Sequence, residues 1–123
     1  MPNLYVSNHP LVAHKLTKLR SVDTEPKKFR ELVGELAGLL AYEATSDLVI
    51  EPVRVQTPLK EPDGYQLVHK IGLIPILRAG VGMVEGGWNF MPSAEVWQIG
   101  IYRYENTPKA VPYQNTAPID TNV

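Results

Sequence analysis

Residues 70–83 read Lys-Ile-Gly-Leu-Ile-Pro-Ile-Leu-Arg-Ala-Gly-Val-Gly-Met, and the fold follows from how this stretch is taken. An apolar run from Ile71 to Leu77 stops at a single cation, Arg78, and is followed by Ala79, Gly80 and Gly82, residues with little or no side chain. A run so short and so apolar predicts a strand buried on both faces, which requires a parallel sheet with helices above and below it. In such sheets ligands are taken at the carboxyl ends of the strands. A glycine-rich turn at that place leaves backbone amides free to approach a ligand's oxygens, and the helix it opens adds a partial positive charge. Arg78 adds a whole one.

Working outward, Val81 to Met91 is expected to be a helix, although Gly82, Gly86 and Gly87 each weaken it by about 1 kcal/mol relative to alanine. So poor a helix must be held by close packing, here against the sheet. Pro92 and Ser93 end it. Val96, Gln98, Gly100 and Tyr102 then alternate with Trp97, Ile99 and Ile101 in a second strand that also closes on an arginine, Arg103. Strand, helix and strand make a right-handed βαβ unit, which brings both arginines out at one edge of the sheet. Two planar guanidinium groups there could grip phosphate oxygens. The competing reading pairs each with a nearby carboxylate, Glu85 for Arg78 and Glu105 for Arg103, and position alone leaves both open.

Upstream, Asn8 and Pro10 make a plausible helix start, and Val12, Leu16 and Leu19 recur on one face, which predicts a short helix from about His9 to Ser21. His9 and His14 stand five apart, about 500° round a helix, so they do not share a face as metal ligands would. Thr24, Glu25 and Pro26 open a longer helix, carried by Phe29, Leu32, Val33, Leu36, Leu39, Leu40 and Ala44. Gly34 and Gly38 would let another helix come close. Glu43 lies near the buried stripe and needs a partner, for which an ion pair is expected. Val49, Glu51, Val53 and Val55 alternate with Ile50, Pro52, Arg54 and Gln56, which suggests a strand whose first half Pro52 demotes to an edge; Lys60 to Gly64 is turn chemistry, and Tyr65 to Val68 returns as the second strand of a peripheral hairpin.

Composition excludes several functions. The chain has 123 residues, 44% of them apolar, and a formal net charge of −1, which suits one globular domain and gives no electrostatic footprint for nucleic acid. It has no cysteine, hence no disulfide, thiolate metal site or cysteine nucleophile. Neither a secretory leader nor an apolar run near the roughly 20 residues of a membrane span is visible, so no membrane partner and a cytoplasmic location are expected. The phosphate loop of P-loop enzymes, His-Glu-x-x-His and Gly-x-Ser-x-Gly are absent, and Gly80-Val81-Gly82 is only a weak start to a dinucleotide fingerprint.

Pro75 to Met83, Pro-Ile-Leu-Arg-Ala-Gly-Val-Gly-Met, closely resembles the Pro-Ile-Leu-Arg-Ala-Gly-Leu-Gly-Met of uracil phosphoribosyltransferases. The segments His9 to Lys15, Phe29 to Glu31, Leu40 to Thr45, Pro92 to Ala94 and Ile99 to Arg103 match in the same order, so the resemblance runs from about Tyr5 to about Asn115. It implies an α/β fold, the amino-terminal part of a type I phosphoribosyltransferase-like parallel sheet with helices and a peripheral β-hairpin. The implied reaction is pyrimidine salvage, uracil plus phosphoribosyl pyrophosphate giving UMP and pyrophosphate. Arg78 and Arg103, with the backbone of Ala79 and Gly80, would contact phosphoribosyl pyrophosphate; Mg²⁺ would arrive with that substrate, and GTP activates some members of the family.

The family's later loop for the ribose phosphate, of the type Asp-Pro-Met-Leu-Ala-Thr-Gly-Gly-Ser, and its uracil-binding segment have no counterpart in this sequence. Residues 1–123 are therefore expected to be one incomplete domain, a truncated half, with Thr116 to Val123 as a tail unlike the family. Such a piece leaves an apolar strand edge unpaired. No catalytic residue is expected in it, and the chain alone is expected to be inactive, taking uracil only if the missing half is supplied. The partner would then be a complementing subunit or a second copy. After Arg103 the family's acidic run is replaced by Tyr104-Glu105-Asn106-Thr107, which puts closure of its flexible hood in doubt; Lys109 to Tyr113 reads as ordinary hairpin. The alternative to an enzyme part is a non-catalytic remnant or module that docks on an intact homologue through its first two helices.

Overall fold

The computed structural model describes the backbone of residues 4–59, 63–103 and 110–115, and side chains as far as residue 101. Of the turn expected over 60–64, residues 60–62 lie outside the described residues, as do the expected hood residues 104–107 and the tail 116–123, while Asp63 and Gly64 open a strand instead of ending a turn.

Helix α1 spans Pro10–Arg20 and α2 spans Pro26–Ala44, each with a proline in its first turn. The caps differ from those the sequence suggests. His9, not Asn8, closes α1, its Nδ1 accepting the Leu11 N–H at 3.1 Å. With Pro26 fixed as the first helical residue, the cap of α2 falls on Glu25, which makes no side-chain cap bond. Thr24 lies one residue too early to cap and instead donates its hydroxyl to the Lys18 carbonyl in the last turn of α1, which also accepts the Ser21 N–H.

Strands β1 (Ile50–Arg54) and β2 (Asp63–Leu67) form the expected antiparallel ribbon. Val68 N–H donates to Val49 O at 3.1 Å, so by alternation Pro52 faces Tyr65 in a pair that exchanges no backbone bonds. Proline therefore costs this ladder nothing.

The run Ile71 to Leu77 is not one continuous strand. It is broken into β3 (Gly72–Leu73) and β4 (Ile76–Leu77), and the second run into β5 (Glu95–Val96) and β6 (Ile99–Arg103). β3 pairs with β5 and β4 with β6, both parallel, and β7 (Ala110–Asn115) adds to β6 antiparallel. The interruption has a simple cause. Ile71, Leu73 and Pro75 carbonyls accept from Glu95, Trp97 and Ile99 at 3.0 to 3.1 Å, a continuous parallel ladder, but Pro75 has no N–H with which to return a bond. Nor is the run buried on both faces, since Ile76 is 54% exposed.

Helix α3 (Val81–Phe90) completes the β4–α3–β6 unit. Its glycines, which cost it propensity, fit it to its neighbours. A Cβ on Gly86 would stand 2.0 Å from the Gly34 carbonyl oxygen of α2, and Gly87 lies against Leu73 of β3. The Trp88 indole N–H donates to the Ala94 carbonyl at 3.1 Å and ties the end of α3 to the start of β5. The expected approach at Gly34 is thus met, and α3 is gripped by α2 as well as by the sheet. Among the described residues the buried hydrophobic side chains are few: Val12, Leu32, Leu36, Ala37 and Ala94. They centre on the helices, and no described polar side chain is buried with them.

Candidate functional site

β4 ends at Leu77, joined to Arg78 by a cis peptide bond, and Arg78 to Gly80 turn directly into α3. The turn is closed by Gly80 N–H donating to Ile76 O at 2.9 Å and Val81 N–H donating to Arg78 O at 3.1 Å. Glycine is required at 80 because a Cβ there would lie 2.9 Å from the Ile76 nitrogen and 3.0 Å from its oxygen. Gly80 serves tight packing, folding the turn onto its own strand, whereas at Gly82 a Cβ would meet Val33 of α2 at an ordinary 3.5 Å.

Of the amides at the turn, those of Gly80 and Val81 are spent within it, whereas among the described residues the N–H groups of Ala79 and Gly82 have no partner. Sequence reasoning named Ala79 and Gly80 for the backbone contribution. Gly82 was not legible, because which of the first helical amides stays free depends on how the turn closes.

Arg78 is exposed, and no described residue pairs with its guanidinium. The expected alternative, an ion pair with Glu85, is not formed; Glu85 lines a groove of about 900 Å³ between the helices, with Lys15, Glu35 and Tyr42. Arg103 closes β6, and its side chain, like Glu105, lies outside the described residues. Backbone register nevertheless relates the two arginines. Leu77 is opposite Gly100, so Arg103 lies two residues beyond the level of Arg78 on the adjacent parallel strand. At about 3.3 Å per residue and about 4.8 Å between strands, the two positions are roughly 8 Å apart at one carboxyl edge.

The other sequence candidates have structural roles. His9 is a helix cap, and His14 is exposed on α1. Glu43 is partnered by a hydroxyl where a cation was expected: Ser7 Oγ donates to its Oε1 at 2.8 Å, pinning the chain before α1 to the end of α2. In the helix groove the Lys15 ammonium donates to Glu35 at 2.7 Å, and this hydrogen bond holds the Glu35 carboxyl below its ordinary value. Among the described residues no three His, Asp or Glu side chains gather as a metal cage, and no helix is long and apolar enough to cross a membrane.

Comparison with known proteins bears on the whole chain. The family model of uracil phosphoribosyltransferase matches residues 6–123. A uracil phosphoribosyltransferase from Roseiflexus castenholzii is 50% identical over all 123 residues of this chain and 59% of its own length, and one from Symbiobacterium thermophilum is 50% identical over 121 residues, 58% of its length. The solved structure of the AQ2163 protein from Aquifex aeolicus superposes with a TM-score of 0.84 at 35% identity, covering 94% of this chain and 55% of that one. The chain thus spans about three-fifths of the length of the curated relatives it matches. With the βαβ unit, the Arg78 turn and the match over residues 6–123 in agreement, the chain belongs to the uracil phosphoribosyltransferase family.

Proposed function

We propose that this chain supplies the pyrophosphate-gripping part of a uracil phosphoribosyltransferase, which joins uracil to phosphoribosyl pyrophosphate and releases UMP and pyrophosphate. The observation that carries this reading is the exposed guanidinium of Arg78, unpaired among the described residues, beside the unpaired amides of Ala79 and Gly82 at the mouth of α3. Arg103 on the neighbouring strand is the second cation of the same site.

The chemistry asks for no nucleophile from the protein. Phosphoribosyl transfer passes through an oxocarbenium-like state, in which the bond from the anomeric carbon to the diphosphate lengthens and negative charge gathers on the departing oxygens. Donors placed beforehand at those oxygens stabilise that state more than the ground state. Arg78 offers planar paired N–H groups and a permanent charge, and the amides of Ala79 and Gly82 add neutral donors. The described side chains do not form a Mg²⁺ site of their own, so no step is assigned to the ion. Holding uracil and the ribose is left to the two-fifths of the family's length that this chain does not span.

Isothermal titration with pyrophosphate at low salt tests the reading. Binding is expected, weakening as salt rises because the site is open to solvent, and Arg78→Ala or Arg103→Ala should each weaken it tenfold or more. Binding left unchanged by both substitutions would overturn the assignment.

A further inference from the structure

Helix α3 carries the candidate site at one end only. Its first turn holds the Gly82 N–H and follows directly on that of Ala79, the two amides of the turn that have no partner among the described residues. No side chain caps this end: Gly80 stands at the cap position, and the bond from its N–H to Ile76 O ties the helix start to β4. The other end is fastened to β5 by a side chain, the Trp88 indole N–H donating to Ala94 O at 3.1 Å. A push on the middle of α3 is therefore taken up as tilt at the end that carries the free amides.

The middle of the helix has no slack to absorb such a push. A Cβ on Gly86 would stand 2.0 Å from the Gly34 carbonyl oxygen of α2, and α3 would have to withdraw by about 1.4 Å before that contact reached an ordinary 3.4 Å. The sheet bounds it as well, since a Cβ on Gly87 would already touch Leu73 of β3 at 3.4 Å. The restriction is one-sided. A Cβ on Gly34 would lie 4.0 Å from the Gly86 Cα, and one on Gly38 would lie 3.7 Å from the Gly86 oxygen, both ordinary separations. Of the three glycines at this crossing, only Gly86 stands where a side chain would displace the helix. One turn nearer the site α2 touches α3 again, through Val33 Cγ1 behind Gly82.

Backbone amides and a guanidinium respond differently to tilt. An N–H group has no side chain to swing, so it moves with the helix, and a donor carried about 1 Å out of place no longer makes a hydrogen bond. The Arg78 side chain is exposed and long enough to follow a bound anion. Tilt should thus remove the neutral donors of the site and leave its cations in place.

We propose that Gly86 is a positioning residue for the pyrophosphate site: its contact with the Gly34 carbonyl sets the tilt of α3, and so the place of the Ala79 and Gly82 N–H groups. The inference rests on the functional reading above, because that reading puts a diphosphate on these amides. It adds a residue that touches no ligand, lies in the second turn of the helix and acts through the backbone of α2.

The test is isothermal titration of the 123-residue chain with pyrophosphate at low and moderate salt, joined to hydrogen exchange on the same variants. Gly86→Ala should weaken binding about tenfold, as the loss of a hydrogen bond to a charged group does, and should keep the parent's salt dependence because both arginines remain; Arg78→Ala should flatten that dependence. Gly34→Ala and His9→Ala should bind as the parent does, the second even though it too costs stability. Exchange at the Gly80 and Val81 amides, which close the turn, should quicken in Gly86→Ala and in neither control. Val33→Phe enlarges a half-buried residue beside Gly82; it should reproduce the weakened, salt-dependent binding, and it stands in for Gly86→Ala should that variant not fold. Affinity equal to the parent's in Gly86→Ala, or in Val33→Phe as its stand-in, overturns the positioning role, and the site survives if binding still depends on Arg78. An equal loss in His9→Ala would mean that affinity follows stability alone, and overturns it too. If exchange quickens at Gly80 and Val81 in Gly86→Ala while pyrophosphate binding is absent or indifferent to Arg78, the contact sets the tilt but the functional reading falls.

Discussion

Replacing Gly86 with alanine tests the packing that holds the site in place. In helix propensity alone the change favours the folded state by about 1 kcal/mol. Contact with α2 opposes it, because the new Cβ would lie 2.0 Å from the Gly34 carbonyl oxygen, 2.7 Å from its carbon and 2.9 Å from its Cα. These are backbone atoms and cannot swing aside. To restore an ordinary contact α3 must move by about 1.4 Å, and a gap of even 0.5 to 1 Å forfeits about a quarter to a half of the dispersion attraction across the contacts that remain. Overpacking of this kind costs about 1 to 3 kcal/mol, against a buried apolar core that among the described residues consists of Val12, Leu32, Leu36, Ala37 and Ala94. The expected net effect is a loss of up to about 2 kcal/mol. Gly82→Ala is the internal control, with the same propensity gain and a Cβ at an ordinary 3.5 Å from Val33, and should stabilise by up to about 1 kcal/mol. Urea unfolding followed by far-ultraviolet circular dichroism reads both. The reasoning is refuted if Gly86→Ala unfolds at the same or a higher urea concentration than the parent, or if the two substitutions shift the midpoint in the same direction.

Further outcomes follow from the same geometry. The Lys15–Glu35 bond lowers the Glu35 carboxyl from its ordinary 4.5, so it stabilises the fold at pH above that value and is lost as pH falls below it; since Glu35 is 42% exposed, the loss should stay below about 1 kcal/mol, and a Glu35→Gln variant should show a flatter acid limb. Gly72→Ala should expel the Trp97 ring, which a Cβ at 72 would meet at 1.9 Å, and a red shift of tryptophan emission with no loss of helical dichroism would register it. His9→Ala should cost about 0.5 to 1 kcal/mol through loss of the α1 cap, measured by the same urea titration, and an unchanged midpoint would show the cap to be idle. The purified chain with uracil, phosphoribosyl pyrophosphate and Mg²⁺ should form no UMP, because two arginines cannot by themselves hold the reacting atoms at the separation of about 3 to 3.5 Å that transfer needs; turnover that vanished in Arg78→Ala would contradict this.

The sequence by itself determined the elements whose cause is local. Apolar residues at spacings of three and four gave α1 and α2, prolines at 10 and 26 set where they begin, and the run ending at Arg78 marked the strand, the turn and the helix after it. Its ordered segments also identified the family, which residues 6–123 bear out. Tertiary structure decided what depends on approach between distant backbones. Whether Gly80 and Gly86 free amides for a ligand or allow close packing cannot be read from composition, because glycine satisfies both; the positions of the Ile76 backbone and Gly34 settle it for packing. Which cap closes a helix turned on a single residue of phase, so His9 and Glu25 took the places expected for Asn8 and Thr24. The run Ile71 to Leu77 looked buried on both faces because hydrophobicity reports what a strand can bury; what it does bury depends on the neighbour present, and beyond Gly72, Ile74 and Ile76 the described chain provides none.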